Sequence, residues 1–186
     1  MKTILYLFIA SLFLLSCNPR GGNGSVSEAP AVEKNGVKTG IEIGERAPEL
    51  VFDSPSGEKI ALSSLRGQMV LIDFWAAWCA PCRQENPYLV RTYHHFKDQE
   101  FQNGSGFTVY GVSLDRRMED WTRAIEMDSL VWESHVSDLK GWKSAPAAQY
   151  GVMGIPANFL IDGKGIIVAK GLRGHFLDDQ LKALLK

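Results

Sequence analysis

Two cysteines separated by two residues are the part of this sequence with the clearest chemical potential. Cys79 and Cys82 follow a largely apolar stretch, residues 71–78, and Pro81 lies between them. We expect the pair to lie on the first turn of a helix, where free backbone N–H groups and the positive end of the helix dipole stabilise a thiolate. In such a place the pKa of the first thiol falls from about 8.5 to roughly 3.5–7.5. The pattern therefore predicts reversible thiol–disulfide exchange.

A zinc half-site is the alternative interpretation of the two cysteines. It would need two further ligands, and zinc sites usually contain a second paired motif. No second cysteine pair exists, and the four histidines are His94, His95, His135 and His175. His94 and His95 are expected on a solvated helix face. We therefore predict no metal and no cofactor.

Two carboxylic acids flank the cysteine pair along the chain. Asp73 is the one charged residue in an apolar strand pattern over residues 68–75. Burial raises the pKa of a carboxyl group, so Asp73 could take or give the proton that Cys82 must lose or gain. The alternative is an aspartate at a strand end that reaches solvent. Glu85 lies three residues after Cys82, about one helical turn away, and could equally be a solvated helix residue.

Length and composition limit what the chain can be. Its 186 residues, 45% of them hydrophobic, suffice for one domain of about 100–150 residues with appendages. A formal net charge of −1 gives no sign of the clustered basic face that nucleic-acid binding requires. The only cysteine outside the pair is Cys17, which excludes a scaffold stapled by disulfides.

The N-terminus has the pattern of an export signal. An apolar run over residues 4–15 is too short for a membrane span of about 20 residues but suits the core of a signal peptide. It ends in Leu14-Leu15-Ser16-Cys17, which resembles the bacterial lipoprotein signal. That resemblance implies cleavage before Cys17 and acylation of this cysteine. The alternative is an ordinary secretory signal with a chance cysteine.

These patterns divide the chain into three parts. Residues 1–16 are predicted to be a lipoprotein signal peptide and residues 17–40, rich in Gly, Ser and Glu, a flexible tether. Residues 41–186 form the folded domain. We expect the protein to be lipid-anchored in a bacterial cell envelope, with this domain on the extracytoplasmic side.

The folded part alternates between strand and helix patterns. Predicted strands cover about residues 50–53, 59–62, 68–75, 107–115, 157–162 and 166–170, with an extended piece at 130–136. Predicted helices cover about 79–97, 118–127, 145–150 and 176–186, and 103–106 is predicted to be a loop. Trp121, Trp132 and Trp142 are expected to pack inside, although Trp132 and Trp142 could instead line a partner groove. The element order indicates an α/β layered domain.

Two separate motifs carry a family resemblance. Residues 73–82 resemble the active-site strand and helix start of thioredoxins, and residues 150–156 resemble their second signature, whose proline follows a cis bond. Residues 83–87, the early hairpin and an insert at about 131–150 are similar to the TlpA/ResA-like branch of membrane-attached, extracytoplasmic thiol–disulfide oxidoreductases. The resemblance implies a thioredoxin-like fold: a central mixed sheet flanked by helices, an N-terminal β-hairpin extension, and an insert before the cis-proline.

The resemblance also implies roles for individual residues. Cys79 would be the nucleophile, at an exposed helix end, and Cys82 the resolving thiol. Trp78 would cover the pair and exclude water. Glu85 occupies the place where the ResA-like pattern has a glutamate that tunes the cysteines.

A groove for the partner chain is the other implied feature. The bond between Ile155 and Pro156 would be cis and would present the Ile155 backbone to an extended partner chain. Pro81 and Trp78 would complete this groove. Ala157 stands where the family often has threonine, which leaves the preference for partners open.

The predicted function is thus reduction of disulfides in envelope proteins, through a mixed disulfide and with electrons from a membrane redox partner. A peroxiredoxin-like peroxidase is one alternative, since the early hairpin also resembles that class. That class, however, has a threonine shortly before its cysteine. A non-catalytic lipoprotein that binds peptides is another. The direction of electron flow stays open at this point.

Overall fold

The computed structural model describes residues 36–186. The strands are β1 (Val51–Asp53), β2 (Lys59–Ala61), β3 (Met69–Trp75), β4 (Glu100–Phe101), β5 (Gly104–Ser105), β6 (Phe107–Ser113), β7 (His135–Ser137), β8 (Ala157–Ile161) and β9 (Ile167–Lys170). The α-helices are α1 (Ala80–Phe96), α2 (Met118–Met127), α3 (Ala145–Gln149) and α4 (His175–Ala183). Short 3-10 turns occupy Leu62–Leu65 and Gly141–Lys143.

A mixed sheet of seven strands forms the centre of the domain. Its order is β2-β1-β7-β6-β3-β8-β9, with β3 parallel to β6 and antiparallel to β8. Every residue of β3 is buried, as expected for an apolar strand that is covered on both faces. The thioredoxin-like fold and its central mixed sheet are therefore confirmed.

Helix positions follow from their apolar faces. Helix α1 buries Leu89 and Phe96, α2 buries Trp121, and α4 buries Leu177 and Leu181. Burying a side chain of this size stabilises the fold by roughly 1.5–3 kcal/mol. The helices thereby hold the sheet rigid beneath the cysteine pair, which follows shortly after β3.

The predicted N-terminal hairpin is the β1–β2 pair, and it extends the central sheet. Asp53 in β1 pairs with Ser137 in β7, so this strand of the predicted insert belongs to the sheet. Two buried tyrosines fasten the hairpin region: Tyr110 Oη donates to the carbonyl of Ile60 at 2.9 Å, and Tyr150 Oη donates to that of Pro48 at 2.6 Å.

Some boundaries differ from the predicted ones. The stretch predicted as a loop at 103–106 contains β5, which pairs with β4 around a tight turn. The last helix ends at Ala183 because the following residues turn back: Lys186 N donates to the carbonyl of Glu100 at 3.1 Å. Short strands of two residues carry too little periodic pattern to be recognised in a sequence.

The N-terminal predictions lie largely outside the described residues. These are the signal peptide at 1–16, the acylated Cys17 and the tether up to residue 35. The chain is already bonded to the domain at residues 38–40, since Gly40 N donates to the carbonyl of Arg46 at 3.0 Å and Arg46 N to that of Lys38 at 2.9 Å. Among residues 36–186, no helix has the length and hydropathy to cross a membrane.

Candidate active site

Cys79 and Cys82 form a disulfide at the N-terminus of α1, with their Cα atoms 5.3 Å apart. Cys79 is the N-cap residue of the helix, and its Sγ accepts a hydrogen bond from Cys82 N at 3.2 Å. Pro81 lies in the first turn, where its missing N–H leaves no hydrogen bond unmade. The predicted place of the pair at a helix start is confirmed, and a Cys79 thiolate would meet this same N–H donor.

The disulfide is more enclosed than the sequence suggested. Cys79 was expected at an exposed helix end, yet only 4% of its surface is accessible, and Cys82 is buried as well. Cys79 caps α1 and at the same time packs into the hydrophobic core, so its side chain is enclosed although it stands at the helix end. The flanking residues Trp78 and Ala80 are exposed, so a partner would approach the sulfurs past these two residues.

Side chains from two other parts of the fold hold the residue just before the Trp78–Cys79 turn. The carboxylate of Asp115 accepts from Ala77 N at 3.0 and 3.2 Å, and Arg83 Nη1 donates to the carbonyl of Ala77 at 3.2 Å. Arg83 is itself fixed by a bidentate ion pair with Asp128. We call these four residues, Ala77, Arg83, Asp115 and Asp128, the Ala77 clamp.

The Ala77 clamp was not predicted, although part of its signal is visible in the sequence. Asp115 follows the end of β6, and β6 runs parallel to β3, so the carboxyl ends of both strands lie together. Burial raises the pKa of Asp115, and the hydrogen bonds from Ala77 N and from the Ser113 hydroxyl oppose that shift. Asp128 had no such signal, because it pairs with a residue far away in the sequence.

Asp73 is buried in the middle of β3. Its side chain makes no hydrogen bond or ion pair with another of the described residues, whereas Asp115 and Asp162 accept N–H groups. Burial raises the pKa of Asp73 to about 7; Arg173 opposes the shift and Glu85 adds to it. Asp73, Glu85 and Asn158 line a small cavity of about 10 Å³, near the lower limit for one water molecule. The predicted burial and raised pKa are thus present in the structure.

Glu85 is half-buried, and its carboxylate contacts the protein as well as solvent. Its Oε1 accepts a hydrogen bond from Gly174 N, in the turn between β9 and α4. In the same turn Arg173 donates to the carbonyl of Pro156, and Leu172 exchanges two hydrogen bonds of 2.8 Å with Asn158. This turn therefore joins α1 to the cis-proline segment. Tuning of the cysteines by Glu85 stays a prediction.

The peptide bond between Ile155 and Pro156 is cis, as predicted. Pro156 directly precedes β8, whose first residue, Ala157, lies opposite Phe74 near the end of β3. The same end of β3 leads into the cysteine pair. The sheet thus brings the second signature to the edge that carries the first.

Trp78 contacts Trp142 rather than forming a closed cover. The two ring centroids are 6.1 Å apart, and the residues are 54% and 50% exposed. The prediction that Trp142 packs inside is wrong, because it lies on a 3-10 turn at the surface; Trp121 and Trp132 are buried as predicted. Water exclusion by Trp78 stays a prediction.

The predicted histidine face is confirmed for His94 and His95, which are exposed on α1. Within residues 36–186, no group of three or more His, Cys, Asp or Glu side chains could hold a metal ion. His135 is buried, and this burial lowers its pKa to about 4. No histidine is therefore found beside the disulfide in a ligand cluster within that range.

Comparison with known proteins agrees with the geometry. The sequence profile of the AhpC/TSA family matches residues 43–170. The chain is 32% identical over 149 residues to the thiol-disulfide oxidoreductase ResA of Bacillus thuringiensis strain Al Hakam, covering 80% of each chain. It is 32% identical over 130 residues to the thioredoxin-like protein YneN of Bacillus subtilis, covering 70% of this chain and 71% of that one.

Solved structures give the same result. The thioredoxin domain of a thiol-disulfide oxidoreductase from Bacteroides vulgatus superposes with a TM-score of 0.70 at 39% identity, covering 79% of this chain and 100% of that one. A thiol:disulfide interchange protein from Bacteroides sp. gives a TM-score of 0.65 at 39% identity, covering 75% and 88%. The chain therefore belongs to the AhpC/TSA family, among its ResA-like members, and is a protein-disulfide oxidoreductase with a thioredoxin-like fold.

Proposed function

We propose that this protein reduces disulfides of proteins in the cell envelope through the Cys79–Cys82 dithiol. The single observation that supports this most is the position of the pair, at a helix N-terminus that closely follows the strand with a buried carboxyl of raised pKa, Asp73. A helix N-terminus stabilises the attacking thiolate, and a group that titrates near pH 7 can exchange protons during the reaction.

The reaction follows from the two sulfur atoms. The Cys79 thiolate attacks one sulfur of a client disulfide; a Cys79–client bond forms, and the other client sulfur leaves as a thiolate. The Cys82 thiolate then attacks Cys79 Sγ, forming the Cys79–Cys82 disulfide of the structure and releasing the second client sulfur. Two electrons pass to the client, and each client thiolate takes up one proton. In this scheme Asp73 accepts the proton that Cys82 loses.

Each turnover leaves the protein oxidised, so a donor must reduce the pair again. We propose a membrane redox partner as this donor, which fits the signal peptide predicted at residues 1–16. Hydroperoxide reduction is the competing function within a family named AhpC/TSA. Trp75 and Trp78 occupy the stretch where a peroxidatic threonine is expected, and the second cysteine is only three residues away, so we favour disulfide clients.

The reduction potential of the Cys79–Cys82 couple tests this direction. We expect a value of about −250 mV or lower, because a reductant must hold its electrons less tightly than its clients. The full chain should be equilibrated with dithiothreitol or glutathione buffers and its thiols counted. Cys17→Ala is the suitable background, since any Cys17 that is not acylated would otherwise add a third thiol.

Two results would contradict the proposal. A potential near about −120 mV would indicate an oxidant that introduces disulfides. Consumption of hydrogen peroxide at a rate well above that of protein disulfides would indicate a peroxidase. Both assays use the same preparation, so they can be compared directly.

We also propose that Cys17 is acylated and anchors the domain on the extracytoplasmic side. The support is the apolar run of residues 4–15 followed by Ser16 and Cys17. Two acyl chains give stable attachment, because each buried CH₂ contributes about 0.8 kcal/mol. We expect the protein to incorporate labelled palmitate in a bacterial host, and Cys17→Ala to abolish the label. Label retained in that variant would contradict the anchor.

A further inference from the structure

Two clefts adjoin the cysteine pair, and Trp78 lines both of them. One, of about 260 Å³, is lined by Ala77, Trp78, Arg123 and Met127 among others. The second, of about 350 Å³, lies between Trp78, Arg116 and Trp142. Because Trp78 directly precedes Cys79, a chain bound in these clefts would lie beside the reacting sulfur.

Three large apolar side chains of these clefts are exposed to solvent. Trp78 and Trp142 are each about half exposed with their rings in contact, and Met127 is 69% exposed. Contiguous exposed apolar groups mark interaction sites, and tryptophan is enriched among residues that dominate interface energies. Trp78 and Trp142 therefore provide a platform on which an apolar or aromatic side chain can pack.

The charges around the platform are unbalanced. Arg116 and Arg123 are exposed and form no ion pair or hydrogen bond with any residue from 36 to 186. Of the two acidic groups in the lining, Asp120 lies 3.6 Å from Arg117, and Asp115, which only accepts from a neutral N–H, is outnumbered by Arg116 and Arg123. The remaining charge of the clefts is positive, so it complements an acidic ligand.

Further positive charge lies next to Trp142. Lys140 and Lys143 flank this ring along the chain, and both are exposed. Asp138, the acidic residue closest in sequence, points its carboxylate at the backbone, accepting from Lys140 N at 3.2 Å and Ala145 N at 2.8 Å. These two hydrogen bonds also hold the 3-10 turn Gly141–Lys143, which carries Trp142.

Arg116 packs directly against the 3-10 turn Gly141–Lys143. Gly141 has a φ of +57°, and a Cβ there would lie only 2.8 Å from Arg116 Nε. The glycine therefore allows the guanidinium of Arg116 to lie over the backbone beside Trp142. A surface that is ordered before binding loses less entropy when a partner binds.

From these observations we propose that four residues, Trp78, Trp142, Arg116 and Arg123, form a client-selecting surface, the Trp–Arg groove. The occupant is an extended segment of the client protein that flanks its disulfide cysteine and carries an acidic side chain beside an aromatic one. The aromatic group packs on the tryptophan pair, and the carboxylate faces the arginines. This inference rests on the proposed disulfide exchange and adds to it the chemistry of the preferred client.

Synthetic peptides test the groove on the full chain. Each peptide has one cysteine capped as a mixed disulfide with 2-mercaptoethanol, and Trp-Asp, Trp-Lys or Ala-Asp on both sides of it. Reduced protein is mixed with each peptide, quenched with iodoacetamide, and analysed for remaining protein thiols. We expect the Trp-Asp peptide to react about five to ten times faster than the Trp-Lys peptide, and the difference to shrink at high salt.

Variants identify the residues responsible. Arg116→Glu should reverse or abolish the preference for Asp over Lys, and Trp142→Ala should abolish the preference for Trp-Asp over Ala-Asp. Arg91→Glu, the same charge change at an exposed position on α1, is the matched control and should keep both preferences. Bis(2-hydroxyethyl) disulfide, which is neutral, should oxidise Arg91→Glu at the rate of the unchanged protein, and its rate with each of the other variants is the reference by which that variant's peptide rates are divided.

The two proposals fail in different ways. Equal rates with all three peptides, or an Arg116→Glu variant with unchanged preference, would overturn the Trp–Arg groove and leave the exchange reaction intact. An effect of Arg91→Glu as large as that of Arg116→Glu would assign the preference to overall charge and also overturn the groove. No reaction with the neutral disulfide or any peptide would overturn the proposed function itself.

Discussion

Cys82→Ser should convert the protein from a catalyst into a trap for its clients. Cys79 can still attack a client disulfide, but no second sulfur remains to release the mixed disulfide, because Cys82 is the residue to which Cys79 is bonded in the oxidised form. We expect turnover of a protein disulfide to fall by at least about 10³-fold, as when a group essential to a covalent step is removed. Covalent protein–client adducts should accumulate on non-reducing gels.

Cys79→Ser is the matched control for this experiment. It should lose turnover equally and form no adduct, because Cys82 lies inside the first turn of α1 with 1% of its surface accessible, whereas Cys79 stands at the helix end with 4% accessible. Adducts formed by Cys79→Ser and not by Cys82→Ser would exchange the two roles. Adducts from neither variant would contradict exchange through a mixed disulfide.

Asp73→Asn should stabilise the oxidised protein at pH 8 by about 4 kcal/mol, because the buried carboxylate is charged there without a hydrogen-bond donor. The pKa of Asp73 is about 7 in the folded protein, against roughly 3.9 in an unfolded chain. Between these values the folded state binds the proton more tightly, so its contribution to stability is complete below about pH 4 and declines as pH rises to about 7. Asparagine is neutral throughout and lacks this decline.

Guanidinium unfolding of both proteins at pH 4 and pH 8 measures the effect. Asp162→Asn is a matched control, since Asp162 is equally buried but its Oδ1 accepts from Lys164 N and Ile166 N at 2.9 Å. That variant should not gain stability at pH 8. Equal stability of Asp73→Asn and the unchanged protein at pH 8 would show that Asp73 is not a buried, uncompensated negative charge at that pH.

Asp73→Asn should also react more slowly with clients. If Asp73 takes the proton from Cys82, asparagine removes a general base, and such groups contribute about 10²-fold or more. Release of the client from the mixed disulfide, followed by rapid quenching, should slow by that factor while adduct formation changes little. A slowing confined to adduct formation would place the proton transfer at Cys79 instead.

Local patterns allowed much of the fold to be predicted. Strand β3 was recognisable because its residues are apolar apart from Asp73, and the cysteine pair marked the start of α1. The cis bond before Pro156 followed from a signature of consecutive residues. In each case the deciding information lies within about ten neighbouring positions.

Other features depend on contacts between distant parts of the chain. Arg83 and Asp128 are 45 residues apart, and the sequence around neither residue has a pattern that predicts their ion pair. The exposure of Trp142 depends on a 3-10 turn set by Gly141 and Asp138, whereas tryptophan in general is expected inside. The enclosure of Cys79 depends on its packing within the hydrophobic core, which joins residues far apart in the sequence.

The Ala77 clamp bears on how the client and the electron donor bind to the protein in turn. Both the N–H and the carbonyl of Ala77 are held by side chains whose bonds do not involve sulfur, so we expect the turn to keep its shape when the disulfide opens. The oxidised and reduced proteins then offer nearly the same outline. A client and an electron donor can therefore bind in alternation to the same surface. Each is released when its mixed disulfide with Cys79 is cleaved, and no conformational change is needed for release.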